Sequence, residues 1–347
     1  YTNYMPTIRL SGGGYYFALN NHMDSLVSSD IYALGSYRVG FQSNYLYRYR
    51  FNGSLDFNYT YTKIGDVYES NYQKFKNFNI RWSHAIHPNR MPGASFSANV
   101  NIVNNRSYQL FNTYDANTYL NNNFSSGIQY SKSWQGKPYN FTASLRHDQN
   151  TQTGIINVTL PDVAFTVNQI FPFQFRKDIV KPLWYEKIGA SYQFNGLNRI
   201  SFNDSSLTAK TFQLRNFQNG FRHSIPINAA YNVLKYINAS VGVTYNEYWY
   251  TKKEFRQYNF SEARIDTARQ VGFFTARDFN TNASFSTRIY GIKLFKKGVI
   301  RGIRHVLTPS VNFRYQPDFG GGIANYYYNS FVDSNYSINR YSFFDGA

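Results

Sequence analysis

The chain has 347 residues, enough for two or three average globular domains or for one large all-β unit. Only 16% of its residues are charged, against roughly 25% in typical globular domains, while 20% are aromatic. Mean hydropathy is negative and no run of about 18 apolar residues occurs, which excludes a transmembrane helix. High aromatic content with low charge is instead typical of a transmembrane β-barrel, whose strands need apolar residues only at alternate positions.

The chain contains no cysteine, which excludes a disulfide framework and thiolate metal sites. Its formal net charge of +17 raises the question of nucleic-acid binding. The basic residues are scattered along the predicted strands and form no recognition module. Nucleic acid is therefore not an expected partner.

The first predicted strand, Gly14–Asn21, follows a cluster of glycines and turns at His22-Met23-Asp24. The strand Gly53–Thr62 shows the underlying pattern most clearly, because successive side chains in a strand point to opposite faces. One face carries Leu55, Phe57, Tyr59 and Tyr61, and the other carries Ser54, Asp56, Asn58, Thr60 and Thr62. The stretch is about long enough to cross a hydrocarbon layer as a tilted strand.

Similar alternation predicts about fourteen to sixteen strands in total. Besides the two above they are 25–34, 37–50, 75–83, 94–103, 124–134, 139–147, 155–173, 183–194, 211–217, 221–234, 236–250, 280–294 and 304–316. Residues 251–270 carry mixed charge and are predicted to form a long external loop.

Strand length and side-chain character separate a barrel from the main alternative, a soluble β-sandwich. Several predicted strands run to about ten residues or more, whereas soluble strands average about five or six. The polar phase holds bulky Asn, Gln, Thr and Arg, which a sandwich core could not bury unpaired. Tyrosine and tryptophan gather near strand ends, as in barrel girdles, at Tyr45, Tyr47, Tyr49, Tyr248, Trp249 and Tyr250. We predict an all-β fold, a large antiparallel transmembrane β-barrel that forms one domain over residues 1–347.

Six arginines fall on the polar phase of predicted strands and are expected to face the lumen of the barrel. They are Arg38, Arg48, Arg81, Arg146, Arg288 and Arg314. A cationic wall suits an anionic or phosphorylated passenger. The alternative, which the sequence leaves open, is that these arginines pair with acidic neighbours.

Catalytic and metal signals are weak. His84 and His87 have a suitable spacing for a metal, but two histidines without a third ligand are a poor site. His147 and Asp148 are neighbours in a strand and point to opposite faces. Barrel-embedded hydrolases keep an enzyme open as an alternative, but no Ser-His or Asp-His pairing supports one. We expect neither an enzyme nor a cofactor.

The start of the chain contains three distinctive stretches, Arg9–Asp24, Asp30-Ile31-Tyr32 and Tyr47-Arg48-Tyr49. They resemble the beginning of the barrel in the LptD family, the lipopolysaccharide-assembly proteins of the outer membrane, in their Bacteroidetes-type form. Further matches keep the order of the family and extend over most of the chain: Leu160–Phe165, His223–Pro226, Tyr245–Tyr250, Arg304–Val311 and Gln316–Phe319.

This resemblance implies a very large barrel, integral to the outer membrane of a Gram-negative bacterium. In the family a periplasmic jellyroll receives lipopolysaccharide from an LptA-like bridge, and an LptE-like lipoprotein plug sits inside the barrel. The saccharide crosses the lumen, while the lipid leaves through a lateral seam between the first and last strands into the surrounding outer-membrane lipids. Both ends of the present chain look cut, so we expect the jellyroll and the later strands to lie outside it.

By the same resemblance, the first strand would form one lip of the seam. Its residues are Gly14, Tyr15, Tyr16, Phe17, Ala18, Leu19 and Asn20. Some family members weaken this seam with proline, but residues 14–34 contain none, so the glycines at 12–14 would have to loosen the strand instead. The alternative function is that of another large outer-membrane transporter, a TonB-dependent receptor or a protein-secretion channel.

Overall fold

The structure, a computed structural model, describes residues 9–65, 67–68, 70, 72–104, 122–175, 182–206, 208, 211–213, 216–297, 301–319 and 326–345. Within these residues the chain forms eighteen strands and four single-turn 3₁₀ helices. The strands are β1 (Arg9–Asn20), β2 (Met23–Tyr32), β3 (Ser36–Tyr47), β4 (Phe51–Ile64), β5 (Gln73–Ile86), β6 (Ala94–Val103), β7 (Asn123–Ser133), β8 (Tyr139–Asn150), β9 (Ile155–Ile170), β10 (Ile188–Asn203), β11 (Gln218–Val233), β12 (Ile237–Asn259), β13 (Arg264–Thr287), β14 (Ile289–Leu294), β15 (Gly302–Leu307), β16 (Ser310–Tyr315), β17 (Tyr327–Phe331) and β18 (Ile338–Ser342). The 3₁₀ helices are Ala33–Gly35, Pro88–Arg90, Tyr185–Lys187 and Asp204–Ser206. None of the helices in the described part is long and apolar enough to cross a bilayer.

Fourteen strands form one antiparallel sheet in which each strand pairs with the next along the chain, from β1 to β13 and then β16. The pairs β14–β15 and β17–β18 form two further sheets of their own. The strands β1 and β16 stand at the two ends of the pairing order, so the described sheet is open. The predicted all-β fold with a large antiparallel sheet is confirmed, and its extent matches part of a large β-barrel.

Direct cross-strand partners lie on the same face of a sheet, so the register shows how the side chains are sorted. In β2 to β6 one row of partners is Val27, Phe41, Phe57, Ile80 and Ile102, which defines the apolar face. A row on the opposite face is Gln42, Asp56, Arg81 and Asn101, which defines the polar face. In β11, β12, β13 and β16 the row on the apolar face is Ala229, Val241, Ala283 and Phe313. The row on the polar face is Asn228, Gly242, Asn282 and Arg314.

The chain divides into two compact units by its internal contacts. The first comprises Tyr1–Gln135, Phe141–Val163 and Leu197–Gln218, and the second comprises Gly136–Asn140, Ala164–Gly196 and Asn219–Ala347. The first unit contains a small buried cluster of Ile156, Val158, Ile200 and Phe217. The second is dominated by the β12–β13 hairpin, which is paired from Ile237–Thr287 to Asn259–Arg264.

The prediction of an external loop over residues 251–270 is wrong, because β12 and β13 continue through most of this segment. Its mixed charges are cross-strand partners: Arg269 Nε donates to Glu254 Oε1 at 2.8 Å. At the end of the hairpin Asn259 Nδ2 donates to Asp266 Oδ2 at 2.9 Å. Opposite charges directly across a ladder stabilise it, so a charged stretch can be a strand.

Two predicted strands are each broken in two. The stretch 280–294 stops at Arg288, between β13 and β14, and the stretch 304–316 stops at Thr308 and Pro309, between β15 and β16. Proline has no N–H to donate to a ladder, which accounts for the second break. The sequence also predicts strand extensions with a connecting loop at 104–123 and a break at 320–322. The first lies largely and the second wholly outside the described residues.

A glycine in β4 makes room for an aromatic ring on the apolar face. Gly53 pairs with Tyr45 on one side and with His84 on the other. The Tyr45 hydroxyl accepts a hydrogen bond from Trp82 Nε1 at 3.1 Å and lies 2.8 Å from His84 Nδ1. A Cβ at Gly53 would overlap both the Tyr45 hydroxyl and the carbonyl oxygen of Ser83.

We therefore expect Gly53→Val to lower the thermal unfolding temperature of the intact protein in detergent, because overpacking of this kind costs about 1–3 kcal/mol. The matched control is Gly127→Val in β7, where a Cβ meets no atom within 4 Å and a β-branched residue suits the strand. Heat-dependent gel mobility measures both variants. Equal unfolding temperatures for the two would contradict the packing argument.

Candidate functional site

The predicted seam strand, β1, is the most exposed strand of the first unit. It pairs with β2, with Tyr15 opposite Val27 and Phe17 opposite Ser25. Every residue from Leu10 to Asn20 is exposed. The edge of β1 that faces away from β2 has no partner strand in the described sheet. The seven residues predicted for the lip, Gly14 to Asn20, all lie on this strand.

The pairing of β1 is irregular near both ends. Its register shifts between Leu10 and Gly13 and again between Ala18 and Asn20. Gly12 has a φ of 79°, which side chains rarely adopt, and its N–H donates to Asp30 Oδ1 at 2.8 Å. A Cβ on Gly14 would come within 2.7 Å of the carbonyl oxygen of Val27. The glycines thus permit a bulge, and the regular ladder covers only the middle of the strand.

Four of the six predicted lumen arginines lie on strands. Arg38 Nη2 donates to Asn58 Oδ1 at 3.0 Å and its Nη1 lies 3.9 Å from Asp30 Oδ2. Arg81 is the register partner of both Asp56 and Asn101. Acidic residues therefore accompany these two arginines on the polar face.

The other two strand arginines differ in their neighbours. Arg146 in β8 forms an ion pair with Asp162 in β9. Arg314 in β16 is opposite Asn282, and its Nη2 donates to Gln316 Oε1 at 3.3 Å. Pairing with acidic groups, the alternative left open by the sequence, therefore holds for Arg38 and Arg146.

The strand positions predicted for Arg48 and Arg288 are wrong. Arg48 lies in the turn after β3, which ends at Tyr47. Arg288 lies in the break between β13 and β14, where it donates from Nη1 to the Tyr290 hydroxyl at 3.4 Å. Alternation fails to locate strand ends, because the residues of a tight turn can continue the same pattern. That these six side chains face a lumen stays a prediction.

The polar face of the second unit carries a cavity of about 400 Å³ that the sequence did not indicate. Tyr248 and Tyr250 of β12 stack at 6.4 Å between ring centroids, and Phe344 stacks on Tyr250 at 4.2 Å. Polar side chains also line the cavity: Asp278, Gln316, Asp318 and Tyr326. Tyr248 and Tyr250, which the sequence predicts for an aromatic girdle, share the face of Asn246, whereas Trp249 points to the apolar face.

The histidines make structural contacts. His84 lies beside the Tyr45 hydroxyl, and His87 Nδ1 accepts the N–H of Asn89 at 3.3 Å. Across the described ranges there is no group of three or more His, Asp or Glu side chains placed to hold a metal ion.

Long antiparallel strands, a sheet with one apolar and one polar face, and an exposed first strand define part of a large transmembrane β-barrel. The chain belongs to the LptD family, because the family model described as LptD protein matches residues 7–347. No curated protein matches the chain. LptD proteins act in lipopolysaccharide transport and assembly at the outer membrane, and this role and location apply to the chain. The Bacteroidetes-type form stays a prediction.

Asp30 connects the bulge of β1 to the polar face, since it accepts from Gly12 and lies near Arg38. We expect Asp30→Ala to speed amide exchange in residues 9–14 roughly tenfold, because a hydrogen bond to a charged acceptor is lost. Mass spectrometry of deuterium uptake measures this. The control is Asp24→Ala on the same strand, whose carboxylate accepts from Asn44 instead. Equal exchange in the two variants would show that Asp30 does not hold the bulge.

Proposed function

We propose that this chain forms the first part of the wall of a lipopolysaccharide translocon in the outer membrane of a Gram-negative bacterium. The saccharide passes along the polar face, and the lipid leaves through a lateral seam of which β1 is one lip. The observation that carries the proposal is the exposed and doubly irregular β1 at one end of the sheet. Membership of the LptD family favours this function over a TonB-dependent receptor or a secretion channel.

The energetics of an edge strand explain why such a seam stays closed without substrate. A backbone N–H or C=O left unpaired in hydrocarbon costs several kcal/mol, so the edge of β1 needs a partner strand in the membrane. The register shifts at both ends reduce the number of bonds that hold β1 to β2. A strand that is paired over a short stretch separates at lower cost than a long regular ladder.

The polar face suits a hydrated, anionic passenger. Its rows include amides, hydroxyls and arginines, as at Asn101, Thr60 and Arg81, beside carboxylates such as Asp56. The cavity beside Tyr248 and Tyr250 combines aromatic ring faces with carboxylate and amide groups, which is the chemistry that sugar rings require. Passage along this face involves no covalent chemistry by the chain.

The partners follow from the family and belong to the proposal. An LptA-like periplasmic bridge would deliver lipopolysaccharide through a jellyroll, and an LptE-like lipoprotein would plug the lumen. The barrel domain over residues 1–347 would then be one part of a larger barrel. Energy for transport would come from elsewhere in the pathway.

Photocrosslinking tests the seam directly. We expect a benzophenone side chain at Phe17 of β1 to crosslink lipopolysaccharide in cells, because lipid would pass this strand. The matched control is Phe57 in the interior of the sheet, on the apolar face, with 36% exposure against 41% for Phe17. Both positions contact membrane lipid. Equal yields of lipopolysaccharide adduct at the two positions would reject a lateral exit at β1.

Charge reversal tests the polar face. We expect the double variant Arg81→Glu and Arg314→Glu to slow surface delivery of lipopolysaccharide roughly tenfold, because a cationic wall concentrates an anionic passenger. The control is Lys137→Glu with Lys235→Glu, which makes the same change in net charge at exposed turn positions. Heat-dependent gel mobility checks that all variants are folded. Equal delivery rates in the arginine variant and the lysine control would contradict a role for Arg81 and Arg314 in lipopolysaccharide transport.

A further inference from the structure

A hairpin in the second unit is both basic and apolar. From Phe279 to Pro317 the sequence contains no Asp or Glu. The same stretch contains seven cationic residues, Arg288, Lys293, Lys296, Lys297, Arg301, Arg304 and Arg314. Five of them lie in residues 289–297 and 301–307, which contain β14 and β15. We call these residues the basic hairpin.

The basic hairpin extends past the end of the main sheet. The ladder of β13 ends with Thr287 opposite Ile237 of β12, and with Ser286 opposite Ser310 of β16. The hairpin begins two residues later and forms its own two-stranded sheet, from Ile289–Leu307 to Leu294–Gly302. Among the described residues it has no third strand beside it. A two-stranded hairpin is at best marginally stable alone in water, so it needs a surface to bind.

Both faces of the basic hairpin expose aliphatic side chains. One face carries Tyr290, Ile292, Leu294 and Val306, with the Arg304 guanidinium 4.9 Å above the Tyr290 ring. The other carries Ile289, Ile303 and Leu307, together with Lys293 and His305. Leu294 is 78% exposed and Ile292 is 66% exposed. Apolar surface of this extent marks a protein or membrane interaction site.

We propose that the basic hairpin docks in the headgroup layer of the bilayer that the barrel spans, and binds phosphate-bearing anionic lipids. A protein partner would cover one face of a hairpin, whereas the lipid interface surrounds both, and here both faces carry exposed aliphatic side chains. The hairpin begins just after the end of β13, a strand of the barrel wall, at Thr287. In the proposal this end of β13 lies at the interface. Lysine and arginine lay their aliphatic stems along the acyl boundary while their charged ends contact phosphate.

The test uses the intact protein in nanodiscs with and without phosphatidylglycerol, both free of lipopolysaccharide. The chain has no cysteine of its own, so an environment-sensitive fluorophore can be attached through Leu294→Cys. The control probe is Ser261→Cys in the turn of the β12–β13 hairpin, which lies beside Glu262, Arg264 and Asp266. We expect a blue shift at position 294, larger with phosphatidylglycerol, and none at position 261.

Charge variants separate binding of anionic lipid from simple burial. Lys293→Gln, Lys296→Gln and Lys297→Gln together should shift the docking equilibrium about a hundredfold, at roughly 1 kcal/mol for each charge near an anionic surface. The corresponding triple Lys→Arg variant keeps the charge and should keep the blue shift. A probe at position 294 that stays aqueous in anionic nanodiscs, or a spectrum that the Lys→Gln variant leaves unchanged, overturns the proposal in favour of a protein partner. Because no lipopolysaccharide is present, neither result bears on translocation.

Discussion

The structure depends on one constraint, which is that backbone N–H and C=O groups inside a hydrocarbon layer must be paired within the protein. A meander in which each strand pairs with the next meets this constraint for the interior strands, from β2 to β13. The constraint acts on the backbone and leaves the side chains free to alternate. This freedom explains how a membrane protein can have negative mean hydropathy and a high content of Asn, Ser and Thr.

Cross-strand pairing also determines how the charge is balanced. Arg38 and Arg146 have acidic neighbours in Asp30 and Asp162, so these strands are less cationic than the total charge suggests. In the β12–β13 hairpin, the Glu254 carboxylate pairs with both Arg256 and Arg269. Much of the unbalanced positive charge falls instead in residues 279–317, which contain no acidic residue. The register of the strands is therefore a better guide than the net charge of the chain to which positive charges are balanced by acidic neighbours.

The sequence predicted the fold class and the faces of the strands, because a period of two is a strong signal in rows such as Val39, Phe41 and Tyr59. It could not show that Glu254 and Arg269 are register partners, since pairing depends on the turn between them. The cavity beside Tyr250 was also missed, because Phe344 lies far from it in sequence and reaches it only through tertiary packing. The sequence points to the glycines at 12–14, but their bulge requires Asp30, which only the register brings to Gly12.

The order of pairing bears on how the sheet is assembled. Because each strand from β2 to β13 bonds to its immediate predecessor, the sheet can grow one strand at a time in chain order. The strand β16 is different, since it reaches β13 only after the chain has passed through β14 and β15. Addition of this strand is therefore the one step in the described sheet that waits for an intervening hairpin to form. The edge of β13 would therefore stay open until the basic hairpin has formed and β16 can follow it.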